Sequence, residues 1–249
     1  MTHPSFVTHI TMNTLHPVEP TEQLIAQGQY NYQVAGKDSG LKESWSLYQL
    51  PESNLIHRAE VHGRIAGIRL TQQTHFALTP GYRPHLLEMR QNIEDEAAAR
   101  IAHTTIQCFE QSVVQTIETE NVSDKQVVEV PSGYGLFFPP VSGQGFIVTG
   151  YNFETGGRQQ LPLVSIRIQP ESGLPLSVEV QAIAYEYIGN DQEIETPAGQ
   201  FACRHFIRHD QHMKQDLWVD DNWMAIQWSV PYSEIMKWEY LLTRYQREG

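Results

Sequence analysis

Two cysteines in 249 residues exclude a disulfide scaffold, which closes a small chain with several bridges. Cys108 and Cys203 each sit in an apolar, strand-like run, and both are expected as buried thiols. Positive charge is scarce as well: 17 Lys and Arg stand against 29 Asp and Glu, a formal net charge of −12. So acidic a chain cannot neutralise a phosphate backbone, which argues against nucleic acid as a partner. Nor does it offer a polybasic surface to a membrane. No uninterrupted apolar run reaches ~18 residues, so no membrane span is expected. The first twenty residues lack a basic n-region and an apolar h-region, and a cytoplasmic location is the expectation. Fixed-period repeats and low-complexity tracts are missing too, while aromatics, at 10%, are too frequent for a disordered chain.

What the sequence does contain is alternation. Residues 1–27, with Pro17 and Pro20, read as an irregular N-terminal segment; residues 28–249 read as a single β domain. From Gly28 onward, apolar residues recur with period two, the pattern of half-buried strands. Tyr30, Tyr32 and Val34 share a face, and so do Trp45 and Leu47, then Leu55, His57, Ala59 and Val61. Arg64 to Thr79 reads as one long strand, with Ala66, Ile68, Leu70, Phe76 and Leu78 on one side. A hairpin turn is expected near Glu94 to Glu96, between the runs Leu87-Met89-Gln91-Ile93 and Thr104-Ile106-Cys108. Pro170 to Gly173, Gly189 to Asp191 and Asp220 to Asn222 carry turn chemistry.

Pro131 to Gly157 interrupts the pattern with prolines and glycines around the apolar kernels Leu136 to Phe138 and Phe146 to Val148. A segment this apolar belongs across the mouth of the sheet or inside it. About a dozen short antiparallel strands with little helix give a mainly β fold. So wide a sheet must curl or split. The expectation is a single large, strongly curved antiparallel sheet, a half-barrel or open barrel, around a short helical or loop plug.

Three runs carry a family resemblance: Glu195 to Phe201, Leu217 to Asp221, and Met236 to Leu242. With the opening runs Gly28 to Val34 and Glu43 to Leu47, they resemble a bacterial half-barrel family of unknown function, usually exported. Its fold is similar to that of the bacterial lipoprotein carriers, a bent antiparallel sheet wrapped around a plug. The motifs are structural: in Thr196-Pro-Ala-Gly-Gln-Phe201 the proline fixes φ and the glycine allows a positive one. The resemblance implies a fold and no catalytic residue.

Candidate site residues follow from the alternation. Phe201, Cys203, His205, Ile207 and His209 fall on one strand face, where a histidine could orient a ligand or serve as a base. Cys203 and His205 stand about 6.5–7 Å apart along the strand, too far for a thiolate–imidazole pair. His205 and His209 are roughly 13 Å apart and His212 lies beyond them, so no local metal site is expected. Met236, Trp238, Tyr240 and Leu242 form a bulky apolar stripe on the last strand. His57, amid Leu55, Ala59 and Val61, is a further polar candidate. The glycines at 143, 145, 156 and 157 lack a phosphate-loop context, and no cofactor is expected. The expected function is binding of a small apolar or amphipathic molecule in the concavity, with His205 and Tyr240 as leading contacts. The alternative is a cofactor-independent isomerase, cyclase or hydrolase acting through His and Tyr.

Overall fold

The computed structural model describes residues 10, 12–65, 67–169, 172–210, 213–231 and 237–248. Ala66, Pro170, Glu171, His212 and Met236, named above, lie outside them. The first meander comprises β1 (Gln23–Val34), β2 (Lys37–Gln49), β3 (Leu55–Ile65), β4 (Ile68–Thr79), β5 (Arg83–Glu94), β6 (Ala99–Cys108), β7 (Ser112–Thr119) and β8 (Ser123–Glu129). A short β9 (Gly135–Phe137) precedes the second meander, β10 (Arg158–Ile168), β11 (Pro175–Thr196), β12 (Gly199–Asp210), β13 (Met213–Val219), β14 (Ala225–Pro231) and β15 (Lys237–Arg247).

Among the described residues these strands form one sheet of fifteen, in the order β8-β7-β6-β5-β4-β3-β2-β1-β15-β14-β13-β12-β11-β10-β9. The two meanders join through the antiparallel pair β1–β15, where Tyr32 faces Tyr240. Every neighbour pair is antiparallel except β9–β10. The end strands β8 and β9 do not pair with each other, so the sheet is an open, barrel-like mainly β structure.

The plug fills one half of the interior. Beyond β9, a 3-10 helix spans Ser142–Gly150, and its residues Ser142 to Val148 are buried. Phe138 meets Phe76 edge-on at 4.7 Å, and Phe146 stacks on Tyr82 at 5.8 Å. Gly145 is required here: a Cβ on it would come within 2.0 Å of the Trp223 carbonyl oxygen. The apolar kernels of the Pro–Gly segment thus supply the core that a curved sheet cannot close by itself.

Three expectations change. Arg64 to Thr79 is not one strand: Ile65 pairs with Ile68 in a tight hairpin, with Gly67 at φ +86°. Ile65 and Ile68 face each other across it, so the inward parity switches from odd positions on β3 (His57, Ala59, Val61) to even positions on β4 (Thr74, Phe76, Leu78). Gly189 to Asp191 is not a turn either; β11 continues to Thr196 and bulges against β12 between Tyr187 and Gln192. Gly189, at φ +158°, makes an irregularity inside the strand, and the hairpin turns at Pro197 and Ala198 instead.

β1 starts at Gln23 rather than Gly28, and described residues ahead of it contact the outer positions of β1, β3 and β5. The Ile10 backbone N–H donates to Gln27, Asn13 makes two hydrogen bonds to the Glu60 carboxylate, and His16 pairs with Glu88 at 2.7 Å.

Candidate ligand-binding site

The inner face of β1–β3 grips the plug. Glu43 is fully buried, and its carboxylate accepts the N–H groups of Val141 (2.8 Å) and Ser142 (2.9 Å) and the Tyr32 hydroxyl (2.5 Å). His57 Nε2 lies 2.8 Å from Ser142 Oγ, with Phe146 edge-on to its ring at 5.6 Å. His57 and Ser142 are both sealed from solvent, so this pair holds the plug in place; a substrate has no access to it. Burial drops the His57 pKa to about 3. The folded state therefore binds fewer protons than the unfolded chain between pH ~6.5 and ~3, and stability falls with pH across that window. His57→Gln should remove this dependence. The stability gap between wild type and variant should narrow by about 2–3 kcal/mol from pH 7 to pH 4.5, at about 1.4 kcal/mol per unit. Urea titrations giving a constant gap would reject it.

The five residues of β12 do not share one inward face. Phe206 is buried against Tyr151 and Tyr187, and Arg208 lies over the Phe137 ring of β9 at 4.5 Å. His205 and His209 occupy the opposite positions, facing outward. His205 stacks on Trp218 (4.6 Å) and pairs with Asp216 (2.9 Å), and His209 pairs with Glu186 (2.9 Å). Both carboxylates are solvent-facing, so these histidines line no concavity. Cys203 belongs to the buried core, and burial pushes its thiol up to about 12, which leaves it protonated. Cys203 and Phe206 are three residues apart, so the buried face changes parity between them, beside the β11 bulge. Among the described residues, no three His, Cys, Asp or Glu side chains group as a metal site.

Trp238 and Tyr240 on β15 do face inward. Tyr240 meets Tyr32 edge-on at 4.7 Å and stacks on Trp228 (5.2 Å) and Trp238 (6.1 Å). Burial and the nearby Glu43 carboxylate hold its hydroxyl pKa above the usual tyrosine value. This aromatic wall stands on the half of the interior away from the β13–β14 turn.

At that same end the two flanks of the sheet approach, with no strand pairing between them among the described residues. Between the β5–β6 and β7–β8 turns on one side and the β10–β11 hairpin on the other lies a cleft of about 550 Å³. Its apolar lining includes Ile101, Ile117, Val122, Leu174 and Leu176. Val122 and Leu176 are exposed, at 58% and 43%. Arg100 at the rim is held by Asp95 at 2.6 Å, and Glu120 and Asp124 stand nearby. None of the sequence-derived candidates lines this cleft. It is built from strand ends and turns, which alternation does not describe.

No family model and no curated protein matches the chain. Solved structures do. The chain is similar to a β-barrel-like protein of the domain of unknown function DUF1849 from Brucella abortus. The TM-score is 0.55 at 10% identity, over 92% of this chain and 100% of that one. It is also similar to a DUF1089 family protein from Pseudomonas aeruginosa, at TM-score 0.44 and 12% identity, over 78% of this chain and 90% of that one. The likeness to the first is one of fold: an open, curved, barrel-like sheet.

The chemistry open to the cleft follows from its lining. Among the described residues its polar lining is Arg100, Thr119, Glu120, Asn121, Asp124, Gln169 and Ser172, with no histidine, cysteine, lysine or tyrosine. Its volume lies within the range of small-molecule sites, about 300–1,000 Å³. Among the described residues no helix is long and apolar enough to cross a membrane.

Proposed function

We propose that the protein binds a small apolar or amphipathic molecule non-covalently in the cleft between the β5–β8 turns and the β10–β11 hairpin. The observation that carries this reading is the cleft itself: about 550 Å³, with aliphatic side chains on both walls interspersed with polar ones, where two flanks of the sheet meet. Exposed Val122 and Leu176 on opposite walls gain burial only when something fills the space between them. An acid–base enzyme acting through His and Tyr has less support, because His57, His205 and His209 all stand away from the cleft.

The neutral dye Nile red tests the reading. Wild-type protein should bind it with enhanced, blue-shifted emission. Val122→Glu/Leu176→Glu, which places two carboxylates in the cleft at exposed positions, should weaken binding by more than about tenfold while leaving the melting temperature nearly unchanged. Dye binding that survives the double substitution would place any apolar site elsewhere.

A further inference from the structure

We propose that a diagonal row of uncharged side chains, Gln91, Thr104 and Gln115, receives the hydrogen-bonding head of the bound molecule. The ligand is then an uncharged amphiphile, an alcohol, ester or amide of an apolar chain, and not an anion. This rests on the binding reading above and narrows it to a ligand class.

The three residues stand on adjacent strands. Thr104 on β6 pairs with Met89, two residues from Gln91 on β5. Gln115 on β7 pairs with Ile106, two residues from Thr104. Each step of one strand is thus a step of two residues, which keeps all three side chains on one face. That face is the inner one: the intervening positions Leu87, Met89, Ala102, Ile106, Val113 and Ile117 are all buried and apolar.

The row is buried, with Gln91 at 5%, Thr104 at 0% and Gln115 at 1% exposure. Yet four of its polar atoms have no partner: Gln91 Oε1, Thr104 Oγ1, and both Oε1 and Nε2 of Gln115. Buried polar groups are almost always paired, so four orphans side by side mark a place for a group from outside the chain. Gln91 cannot be rescued by turning its amide. Its Nε2 already donates to Gln72 Oε1 at 2.8 Å, and Gln72 in turn donates to the Pro139 carbonyl of the plug at 2.9 Å. The free atoms offer acceptors at Gln91 and Gln115, a donor at Gln115, and either role at Thr104.

One residue, Ile117, separates the row from the cleft. Ile117 lines the cleft and is the direct cross-strand partner of Thr104. A molecule with its apolar part between Val122 and Leu176 reaches Thr104 and Gln115 with its polar end when the Ile117 side chain turns aside. The one cation at an inner position of β5–β7 is Arg100, at the cleft end of β6, and it is paired with Asp95 with Glu120 and Asp124 nearby. A carboxylate or phosphate at the row would be a buried charge without a counter-charge, whereas a hydroxyl or an ester carbonyl would be satisfied.

The test is competition against Nile red by 1-decanol and by decanoate, at pH 8 and physiological salt. Decanol should displace the dye at a concentration at least about tenfold lower than decanoate. Thr104→Val/Gln115→Leu, nearly isosteric and uncharged, should weaken decanol about tenfold and leave Nile red within about twofold. The single variants carry the same readout if the double variant does not fold. Equal competition by the two compounds, or a preference for decanol that persists in the variants, overturns the assignment; the latter would mean that the row serves only enclosed water. If Nile red binds wild type and is lost in Val122→Glu/Leu176→Glu, such a result removes the head-group assignment alone. If wild type binds neither dye nor decanol, the cleft reading and this one fall together.

Discussion

Glu43→Ala is expected to lower the free energy of unfolding by about 3–5 kcal/mol. The carboxylate lies in the core and accepts three donors, the Val141 and Ser142 backbone N–H groups and the Tyr32 hydroxyl. Two of those donors belong to the first turn of the plug helix, whose N–H groups have no partner within the helix. Removing the carboxylate strands all three in a closed interior, at about 1–3 kcal/mol for each group left unpaired, reduced by whatever water enters the space. Glu43→Gln keeps one acceptor oxygen but turns an NH₂ toward a donor, so it should fall between wild type and alanine. Burial outweighs the donors and raises the Glu43 pKa above 4.5. The folded state therefore binds more protons than the unfolded chain from about pH 4.5 up to the raised value, and this group's contribution weakens as pH climbs through that window. Glu43→Gln should lack that component. Chemical denaturation of the three proteins at several pH values measures both effects. A loss below about 1 kcal/mol for Glu43→Ala would show that the plug is held by its phenylalanines and its other hydrogen bonds, without this carboxylate.

The inward positions of the strands were readable because alternation reports a sheet with one dry face. Tyr30, Trp45, Phe76, Leu87 and Leu242 all stand where their parity puts them, in the core. So does the apolar kernel of the plug. Alternation fails where a bulge on one strand meets an unbulged partner: nothing in the run Phe201 to His209 reports the irregularity of β11, and His205 and His209 face outward as a result. The polar row did leave a signal. Gln91, Thr104 and Gln115 occupy apolar-parity positions within Leu87-Met89-Gln91-Ile93, Thr104-Ile106-Cys108 and Val113-Gln115-Ile117. A polar residue in an apolar stripe is the informative exception, because its burial needs a partner. The cleft left no such mark, since turn residues from distant parts of the chain meet only in the folded sheet.

Glu22→Ala is expected to cost about 3–5 kcal/mol as well, at a site that the sequence presents as ordinary surface charge. Arg58 lies on the outer face of β3, where alternation assigns it to solvent. Its guanidinium instead makes two hydrogen bonds to the Glu22 carboxylate, at 2.5 and 2.8 Å. Both side chains are only 2% exposed. Arg58 also reaches the Pro17 carbonyl oxygen and lies over the Tyr48 ring at 5.0 Å. The N-terminal segment seals this pair, and the pair in turn fastens the segment to the sheet. Exposed ion pairs contribute at most about 1 kcal/mol, but removing one partner of a buried pair strands a charge in low dielectric. Glu22→Ala leaves the Arg58 cation in that position, and the segment from residue 12 to residue 22 should become open to limited proteolysis. The diagnostic comparison is Glu22→Leu/Arg58→Met. With both charges replaced by apolar groups of similar size, no ion is stranded, and most of the stability should return. A double variant as unstable as Glu22→Ala would show that the ion pair itself, and not the avoidance of a stranded charge, holds the segment down.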